Sequence, residues 1–419
     1  MIDRGRLATL LAREHATYAD RNPRSVAAQA RARHLLGRAP AMHRTPLHLS
    51  GAHGAHVTDL DGHDLTDFCL GDTAAMAGHS PAPVAEALRR AGLGMMLPTE
   101  NAENAENAED AEAVGAELAR RFGLPLWGFA LTAADANRWA ARLLRAVTGR
   151  QVIVVHAHSR GEDGRPRDRA GTRVVEFNDV DGLARALAHD DVAAVLMEPV
   201  LTGAGLVTPE IGYLARVREL TQRHGTYLVN DETYTFCEGP GGATRAWELQ
   251  PDVVTIGKAI GGGVPSAAFG ITSELADALA TRPGLDLSGA GGDALSMAAT
   301  RATLTSVLTD DAFTHMISMA RAFAAGVRLV LDRNGLTWSV CQLGARVEYR
   351  FVSPAPRNGS RSAAAADPKL EDYLYVYLAN RGVLLTPGRT AALMCPDTTL
   401  DDVARHQEAF SGAVKELVS

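Results

Sequence analysis

Three consecutive segments decide the fold: Ala193–Val200 (AAVLMEPV), Tyr227–Thr233 (YLVNDET) and Asp252–Gly263 (DVVTIGKAIGGG). Each contains a short, mostly apolar run that ends in polar residues or glycines. Such a run predicts a β-strand buried on both faces, as in a parallel sheet that is covered by helices. The carboxyl ends of these strands meet at one edge of the sheet, and ligands bind at that edge.

The same alternation continues outside these segments. Amphipathic stretches such as Asp135–Val147 and Glu210–His224 have helical periodicity and separate several apolar runs. The pattern predicts an α/β domain with a mostly parallel, seven-stranded sheet. The four further runs predicted as strands are Phe129–Thr132, Val152–Val155, Val174–Phe177 and Ala267–Ile271.

An acid and a lysine follow two neighbouring strands of this predicted sheet. Asp231 ends one strand, and Lys258 follows the next strand just before a run of three glycines. A carboxylate opposite a pyridine nitrogen keeps that nitrogen protonated, and a lysine can form an imine and move a proton. The glycines allow close approach of the backbone. Taken singly, Asp231 could be a helix cap and Lys258 a solvated surface residue.

The order and the amino-acid sequences of these motifs resemble those of the class III aminotransferases, which are fold-type I enzymes that use pyridoxal 5'-phosphate (PLP). The resemblance is closest to the branch that contains glutamate-1-semialdehyde aminomutase. It extends over nearly the whole chain. Other matching segments are Val57–Phe68, Gly71–Pro81, Asp293–Ala299 and Gly382–Pro387.

The resemblance implies a homodimer with active sites at the subunit interface, and it assigns site residues. Lys258 is expected to hold PLP as a Schiff base, with Asp231 at the pyridine nitrogen and Thr233 against one face of the ring. The family's phosphate-binding segment falls on Thr132–Asn137, at the start of a predicted helix, with Thr132, Ala133 and Ala134 as the expected contact residues. Helix N-termini offer free N–H groups and a favourable dipole to a phosphate. Ser288 is expected in the loop that reaches the neighbouring subunit's phosphate.

The chain departs from the family pattern at three places. Ala133 and Ala134 stand where a glycine and a hydroxyl residue are usual, and Ser288 stands in for a threonine that is not at its usual place. The aromatic residue that stacks on the cofactor ring is missing, with His156 and His158 as possible substitutes. We therefore expect PLP to be held less tightly than is usual in the family.

Three further residues, Asp72, His79 and Glu198, lie in segments that match the family, and Arg389 follows Thr386-Pro387-Gly388 as a candidate to bind an anionic substrate group. Asp72, His79, Glu198 and Arg389 are expected to contribute to the substrate pocket, although turn capping, loop hydrogen bonding or solvation would explain each equally well. Three tyrosines in the Tyr373–Tyr377 stretch alternate with other residues, a spacing that predicts one face of a β-sheet.

The chain has 419 residues, which exceeds the size at which one core usually stops growing, so two domains are expected. Residues 55–292 form the predicted large PLP-binding domain. Residues 293–419 form a smaller α+β domain, which residues 1–54 join. A net charge of −7 argues against nucleic-acid binding, and no apolar run is long enough for a membrane span. The charged N-terminus has no apolar signal-peptide core, so a cytoplasmic protein is expected.

Three functional hypotheses follow. The first is a PLP-dependent aminotransferase that acts on a small amine or amino/keto substrate through Lys258. The second is a PLP-dependent isomerase, epimerase or eliminating enzyme, because these reactions use the same residues. The third is a family member with an impaired cofactor site that acts as a binding or partner subunit.

Overall fold

The computed structural model describes residues 2–31, 45–91, 105–159, 171–281 and 292–419. Internal packing divides the chain into two units. The first consists of Met1–Ser80, His315–Ala355 and Ala365–Ser419, and the second of Pro81–Thr314 and Pro356–Ala364.

The described elements comprise helices and strands in both units. The helices are α1 (Arg4–Arg21), α2 (Pro23–Arg31), α3 (Ala82–Arg90), α4 (Ala105–Phe122), α5 (Ala133–Thr148), α6 (Val180–Leu187), α7 (Tyr213–Arg223), α8 (Gly242–Ala246), α9 (Ser273–Ala280), α10 (Ala294–Ala302), α11 (Asp310–Arg333), α12 (Gly359–Ala364), α13 (Pro368–Ala379) and α14 (Leu400–Val418). The strands are β1 (Leu49–His53), β2 (His56–Asp59), β3 (Asp64–Asp67), β4 (Leu126–Ala130), β5 (Val152–His156), β6 (Thr172–Val175), β7 (Val192–Met197), β8 (Tyr227–Asp231), β9 (Val253–Gly257), β10 (Ala267–Ile271), β11 (Ser339–Leu343), β12 (Arg346–Arg350), β13 (Val383–Leu384) and β14 (Ala391–Leu393). Two short 3-10 turns span Thr235–Glu238 and Lys258–Gly261.

The second unit contains the predicted seven-stranded sheet, in the order β4-β10-β9-β8-β7-β5-β6. Strands β5 to β9 run parallel, and β10 pairs antiparallel with both β9 and β4. All six residues of β7 are buried, because α5 covers one face of the sheet while α6 and α7 cover the other. The α/β prediction with a mostly parallel sheet is confirmed.

Two glycine–aromatic pairs join the strands at the β4 edge. Gly128 on β4 lies opposite Phe269 on β10, and Trp127 lies opposite Gly270. A Cβ atom added to Gly128 would lie 2.3 Å from Cζ of Phe269, and one added to Gly270 would lie 2.5 Å from the Trp127 ring. Each aromatic ring therefore occupies the space that a side chain on the opposing residue would need.

The first unit is an α+β assembly. Its four-stranded sheet has the order β1-β2-β3-β13, and its three-stranded sheet has the order β11-β12-β14. The hairpin predicted around Asp61 and Gly62 is present, since β2 and β3 pair antiparallel with Thr58 opposite Asp64. This hairpin belongs to the first unit, and residues 293–314 belong to the second unit. The predicted boundaries lie instead at 54/55 and 292/293. Those domain boundaries stay a prediction.

The tyrosines expected on a sheet face lie instead on helix α13. The Asp367 side chain caps this helix by accepting a hydrogen bond from the Leu370 N–H, and Pro368 occupies its first turn. Both features start a helix and exclude a strand at this point.

Among the described residues, no helix is long and apolar enough to cross a membrane.

We predict that Gly128→Ala lowers the free energy of unfolding by about 1–3 kcal/mol, the usual cost of overpacking a core. The added methyl group would press on the buried Phe269 ring. Urea denaturation followed by circular dichroism measures the change. Gly115→Ala is the matched control, because a Cβ there meets nothing within 4 Å and lies inside α4. It should be neutral or slightly stabilising. Equal stabilities of the two variants would contradict the prediction.

Candidate active site

The carboxyl edge of the second unit's sheet gathers the residues singled out by the sequence. Asp231 is the last residue of β8, Lys258 follows β9 directly, and Glu198 follows β7. Strands β8 and β9 are neighbours, with Asp231 level with Thr255. Since paired strands lie about 4.8 Å apart, the acid and the lysine are at adjacent strand ends, as predicted.

The Asp231 carboxylate is held by an amide rather than by a cation. Its Oδ2 accepts a hydrogen bond from Nδ2 of Asn137 on α5 at 2.7 Å, and its Oδ1 accepts one from the Thr233 N–H at 2.9 Å. The Thr255 hydroxyl donates in turn to Oδ1 of Asn137 at 2.6 Å. This chain of bonds fixes the orientation of the carboxylate. Asn137 was expected in the phosphate-binding segment, and no contact with Asp231 was predicted for it or for Thr255.

Lys258 has an unusual backbone and a defined side-chain partner. Its φ angle is +54°, in the left-handed region that favours glycine. Its Nζ donates a hydrogen bond to Oη of Tyr234 and lies 4.3 Å from the centroid of that ring. Strained backbone of this kind clusters at functional sites. Tyr234 was missed, because its position three residues after a strand end carries no motif of its own.

The segment after Asp231 is anchored by a buried acid. Glu232 is fully buried, and its carboxylate accepts hydrogen bonds from the Thr235 hydroxyl and from the N–H groups of Ala243 and Thr244. Burial raises the pKa of Glu232, and these hydrogen bonds act in the opposite direction. The anchor places the neighbouring Thr233 and Tyr234.

The N-terminus of α5 lies against the start of the lysine turn. Thr132 caps the helix by accepting a hydrogen bond from the Asp135 N–H, and Ala133 and Ala134 are the first two helical residues. A Cβ on Gly257 would lie 3.0 Å from the backbone nitrogen of Ala133. The first N–H groups of a helix have no partner within the helix. Donors for an anion are thus available beside Lys258, as predicted.

Two other predicted residues lie at this edge of the sheet. The Thr233 hydroxyl is buried and has no hydrogen-bond partner among the described residues. Glu198 is buried, and its carboxylate accepts hydrogen bonds from the N–H and hydroxyl of Thr202. An unsatisfied buried hydroxyl is costly unless a ligand meets it, which supports Thr233 as a binding residue. The hydrogen bonds of Glu198 support a role in shaping its own loop.

The His156 side chain is packed in the core of the second unit. It is fully buried, with Nε2 2.8 Å from the Tyr213 hydroxyl and its ring packed on Phe177. Burial lowers its pKa to about 4. Tyr213 and Phe177 belong to the apolar cluster on the sheet face opposite α5. The expectation that His156 stacks on the ring is therefore not supported.

The remaining predicted residues lie outside this group. Ser288 falls outside the described residues. Asp72, His79 and Arg389 belong to the first unit, where Nε2 of His79 is 2.8 Å from Oδ2 of Asp67 and the Arg389 N–H donates to the Thr386 carbonyl in a turn. That these four residues contribute to the site stays a prediction.

Comparison with known proteins decides the family. The family model for aminotransferase class-III matches residues 167–407. A glutamate-1-semialdehyde 2,1-aminomutase from Akkermansia muciniphila is 30% identical in an alignment 402 positions long, which covers 89% of this chain and 92% of that protein. The chain belongs to the class-III aminotransferases.

Solved structures agree with this membership. A glutamate-1-semialdehyde-aminomutase from Pseudomonas aeruginosa PAO1 has a TM-score of 0.91 and 42% identity, with 99% of each chain covered, and a variant of it was crystallised with PMP. A β-phenylalanine aminotransferase from Variovorax paradoxus, at 24% identity and a TM-score of 0.86 over 97% of each chain, shares the fold. This class-III chain is a PLP-dependent enzyme of fold type I, and PLP is its cofactor.

The residues of this class-III site fit PLP. Lys258 supplies the amine for covalent attachment, and Asp231 supplies an oriented carboxylate for the pyridine nitrogen. The α5 N-terminus supplies N–H donors for the phosphate, and the unpaired Thr233 hydroxyl supplies a further polar contact. Gly257 has no side chain, which allows the lysine turn to approach this helix closely.

We predict that Asn137→Ala weakens PLP binding. The Asp231 carboxylate would lose a bond worth about 1.5–3 kcal/mol, so the PLP dissociation constant should rise about tenfold or more. Absorbance titration of the apoprotein measures this constant.

Asn230→Ala is the matched control for Asn137→Ala. Asn230 is equally buried on β8, and its amide donates instead to the Thr244 hydroxyl at 3.1 Å. Both variants should lose some thermal stability, but only Asn137→Ala should change PLP affinity. Equal dissociation constants for the two variants would show that Asn137 has a structural role alone.

Proposed function

We propose that the protein transfers an amino group of a small amine or amino/keto substrate by means of PLP attached to Lys258. The observation that carries this proposal is the pairing, at adjacent strand ends, of an oriented carboxylate with a lysine in a strained turn. Bound PLP supplies an electron sink for the carbon that carries the substrate's amino group.

The chain's own residues divide the remaining tasks. Nζ of Lys258 attaches the cofactor and, once released, accepts and returns a proton. The Asp231 carboxylate keeps the pyridine nitrogen protonated. The N–H groups of Ala133 and Ala134 bind the phosphate through the helix dipole. The homodimer, the interface site with Ser288 and the substrate contacts of Asp72, His79, Glu198 and Arg389 stay predictions from the family resemblance.

A second candidate moves the amino group within one molecule. The similarity to glutamate-1-semialdehyde 2,1-aminomutases, at up to 42% identity among the relatives described above, favours it specifically. Such an enzyme is an isomerase that uses the same lysine and carboxylate. The hypothesis of a repurposed subunit is not retained, because the chain is a PLP-dependent enzyme and combines Asp231 and Lys258 at adjacent strand ends.

Isotope crossover distinguishes the two candidates. An amine labelled with ¹⁵N is incubated with the PLP-loaded protein and an unlabelled carbonyl acceptor, and the products are analysed by mass spectrometry. Label in the acceptor identifies an aminotransferase. Conversion of glutamate-1-semialdehyde into its isomer with the amino group on carbon 1 instead of carbon 2, with no label passed to the acceptor, identifies an aminomutase.

We predict that borohydride reduction of the PLP-loaded protein places a pyridoxyl group on Lys258. Peptide mass mapping is simple here, because the chain has three lysines and the others are Lys369 and Lys415. Lys258→Arg keeps the positive charge but should abolish labelling. Asp231→Asn should still be labelled, with turnover reduced about 10² or more, the scale of losing one preorganised charge interaction. A label on Lys369 or Lys415 alone would refute the assignment.

We predict that Ala134→Thr raises PLP occupancy after dialysis against cofactor-free buffer. The added hydroxyl would give the phosphate one more donor, and a bond to a charged group is worth about tenfold in affinity or more. Ala134→Val is the matched control, because it adds the same bulk without the hydroxyl. The wild type should become substantially apo under these conditions. Full occupancy of the wild type would show that other groups supply the missing contacts.

A further inference from the structure

Tyr234 lies in the candidate active site, and the function proposed above assigns it no role. It is the third residue after β8, and only 4% of its surface is exposed. Its hydroxyl accepts the hydrogen bond of Lys258 Nζ, and its ring lies within cation–π distance of the same atom at 4.3 Å. One side chain thus offers both an oxygen and a π-face to the reacting amine.

The surroundings of Tyr234 give it one defined position. Its backbone carbonyl accepts a hydrogen bond from Sγ of Cys237 at 3.2 Å, and the anchored Glu232 lies two residues before it. Lys258 is equally constrained, because β9 pairs with its neighbours up to Gly257 and its own φ is +54°. The Nζ–Oη bond therefore joins two groups whose backbones are fixed independently.

We propose that Tyr234 is a positioning residue that holds the Lys258 amine in place whenever this amine is not joined to the cofactor. This inference rests on the function proposed above, since it assigns Lys258 as the reacting amine. The Tyr234 hydroxyl limits where Nζ can move, so the amine stays within reach of the site instead of sampling the many rotamers of a free lysine. The proposal requires no covalent step at Tyr234.

A packing role for Tyr234 makes different predictions. If the ring only filled space, Tyr234→Phe would retain the packing and leave the amine's behaviour unchanged. If the hydroxyl holds Nζ, Tyr234→Phe releases the amine while the ring and its cation–π contact remain. Tyr234→Leu removes the ring as well. The two substitutions therefore separate the hydroxyl from the π-face.

The first test uses the apoprotein and needs no cofactor. Trace acetylation with acetic anhydride, followed by mass spectrometry, gives the labelling rate of Lys258 relative to Lys369 and Lys415 in the same sample. We expect the relative rate for Lys258 to rise about tenfold in Tyr234→Phe, the scale of losing one hydrogen bond of a charged group. Tyr234→Leu should raise it further.

Tyr213→Phe is the matched control. Tyr213 is a similarly buried tyrosine of the same unit, and its hydroxyl bonds to Nε2 of His156 at 2.8 Å. The Tyr213→Phe substitution should lower the thermal stability about as much as Tyr234→Phe does. It should leave the labelling rate of Lys258 relative to Lys369 and Lys415 unchanged. A rise of the ratio in both variants would overturn the proposal, because it would reflect a general loosening of the unit.

The second test uses the PLP-loaded enzyme with a substrate found by the crossover assay. Tyr234→Phe should reduce kcat about tenfold and change KM less than about threefold, because it misplaces the amine and leaves substrate binding intact. An unchanged labelling ratio, or wild-type kcat, would overturn the proposal. Failure of the proposed function is a separate result: PLP would then not attach to Lys258, whereas the apoprotein labelling could still be read.

Discussion

The hydrogen bond between Asn137 and the Asp231 carboxylate fixes the geometry on which the site depends. A buried carboxylate is costly unless hydrogen bonds or a cation compensate it. Here the compensation comes from an amide and a backbone N–H, which orient the carboxylate oxygens. The carboxylate therefore remains available to a protonated ring nitrogen. Because Asn137 lies on α5 and also accepts from Thr255 on β9, one amide joins this helix to both strands of the site.

The sheet and its two chemical residues were predictable from the sequence because their signals are local. A strand such as β7, buried at all six positions, is apolar throughout, and a polar residue after it must lie at the sheet edge. Asp231 and Lys258 follow from that rule. The roles of Asn137 and Tyr234 could not be predicted in this way. They depend on which face of α5 packs against the sheet and on the path of the loop after β8. The tyrosines of α13 mark the same limit, since a helix cap at Asp367 outweighed an alternating pattern.

The use of lysine and arginine along the chain bears on the role of Lys258. Only three of the 42 Lys and Arg residues are lysines. Where this protein needs a buried or bridging cation it uses arginine, as with Arg121, which donates to the carbonyls of Leu304 and Leu308, and Arg218, which pairs with Asp252 through two bonds. Arginine suits such forked contacts, but it cannot form an imine. A lysine at 258 therefore fits the chemistry proposed for its amine, which an arginine of the same charge could not supply.

The backbone at Lys258 supports the same conclusion. A non-glycine residue in the left-handed region costs of order 1 kcal/mol or more and persists only where its surroundings fix it. They do so here: Gly257 packs against α5, and after the turn the Gly262 and Val264 N–H groups donate to the carbonyls of Ala259 and Gly261. Glycine at 258 would remove the strain and leave the turn intact. The chain instead carries a lysine whose amine reaches Tyr234, so the strain is retained at the residue proposed to attach the cofactor.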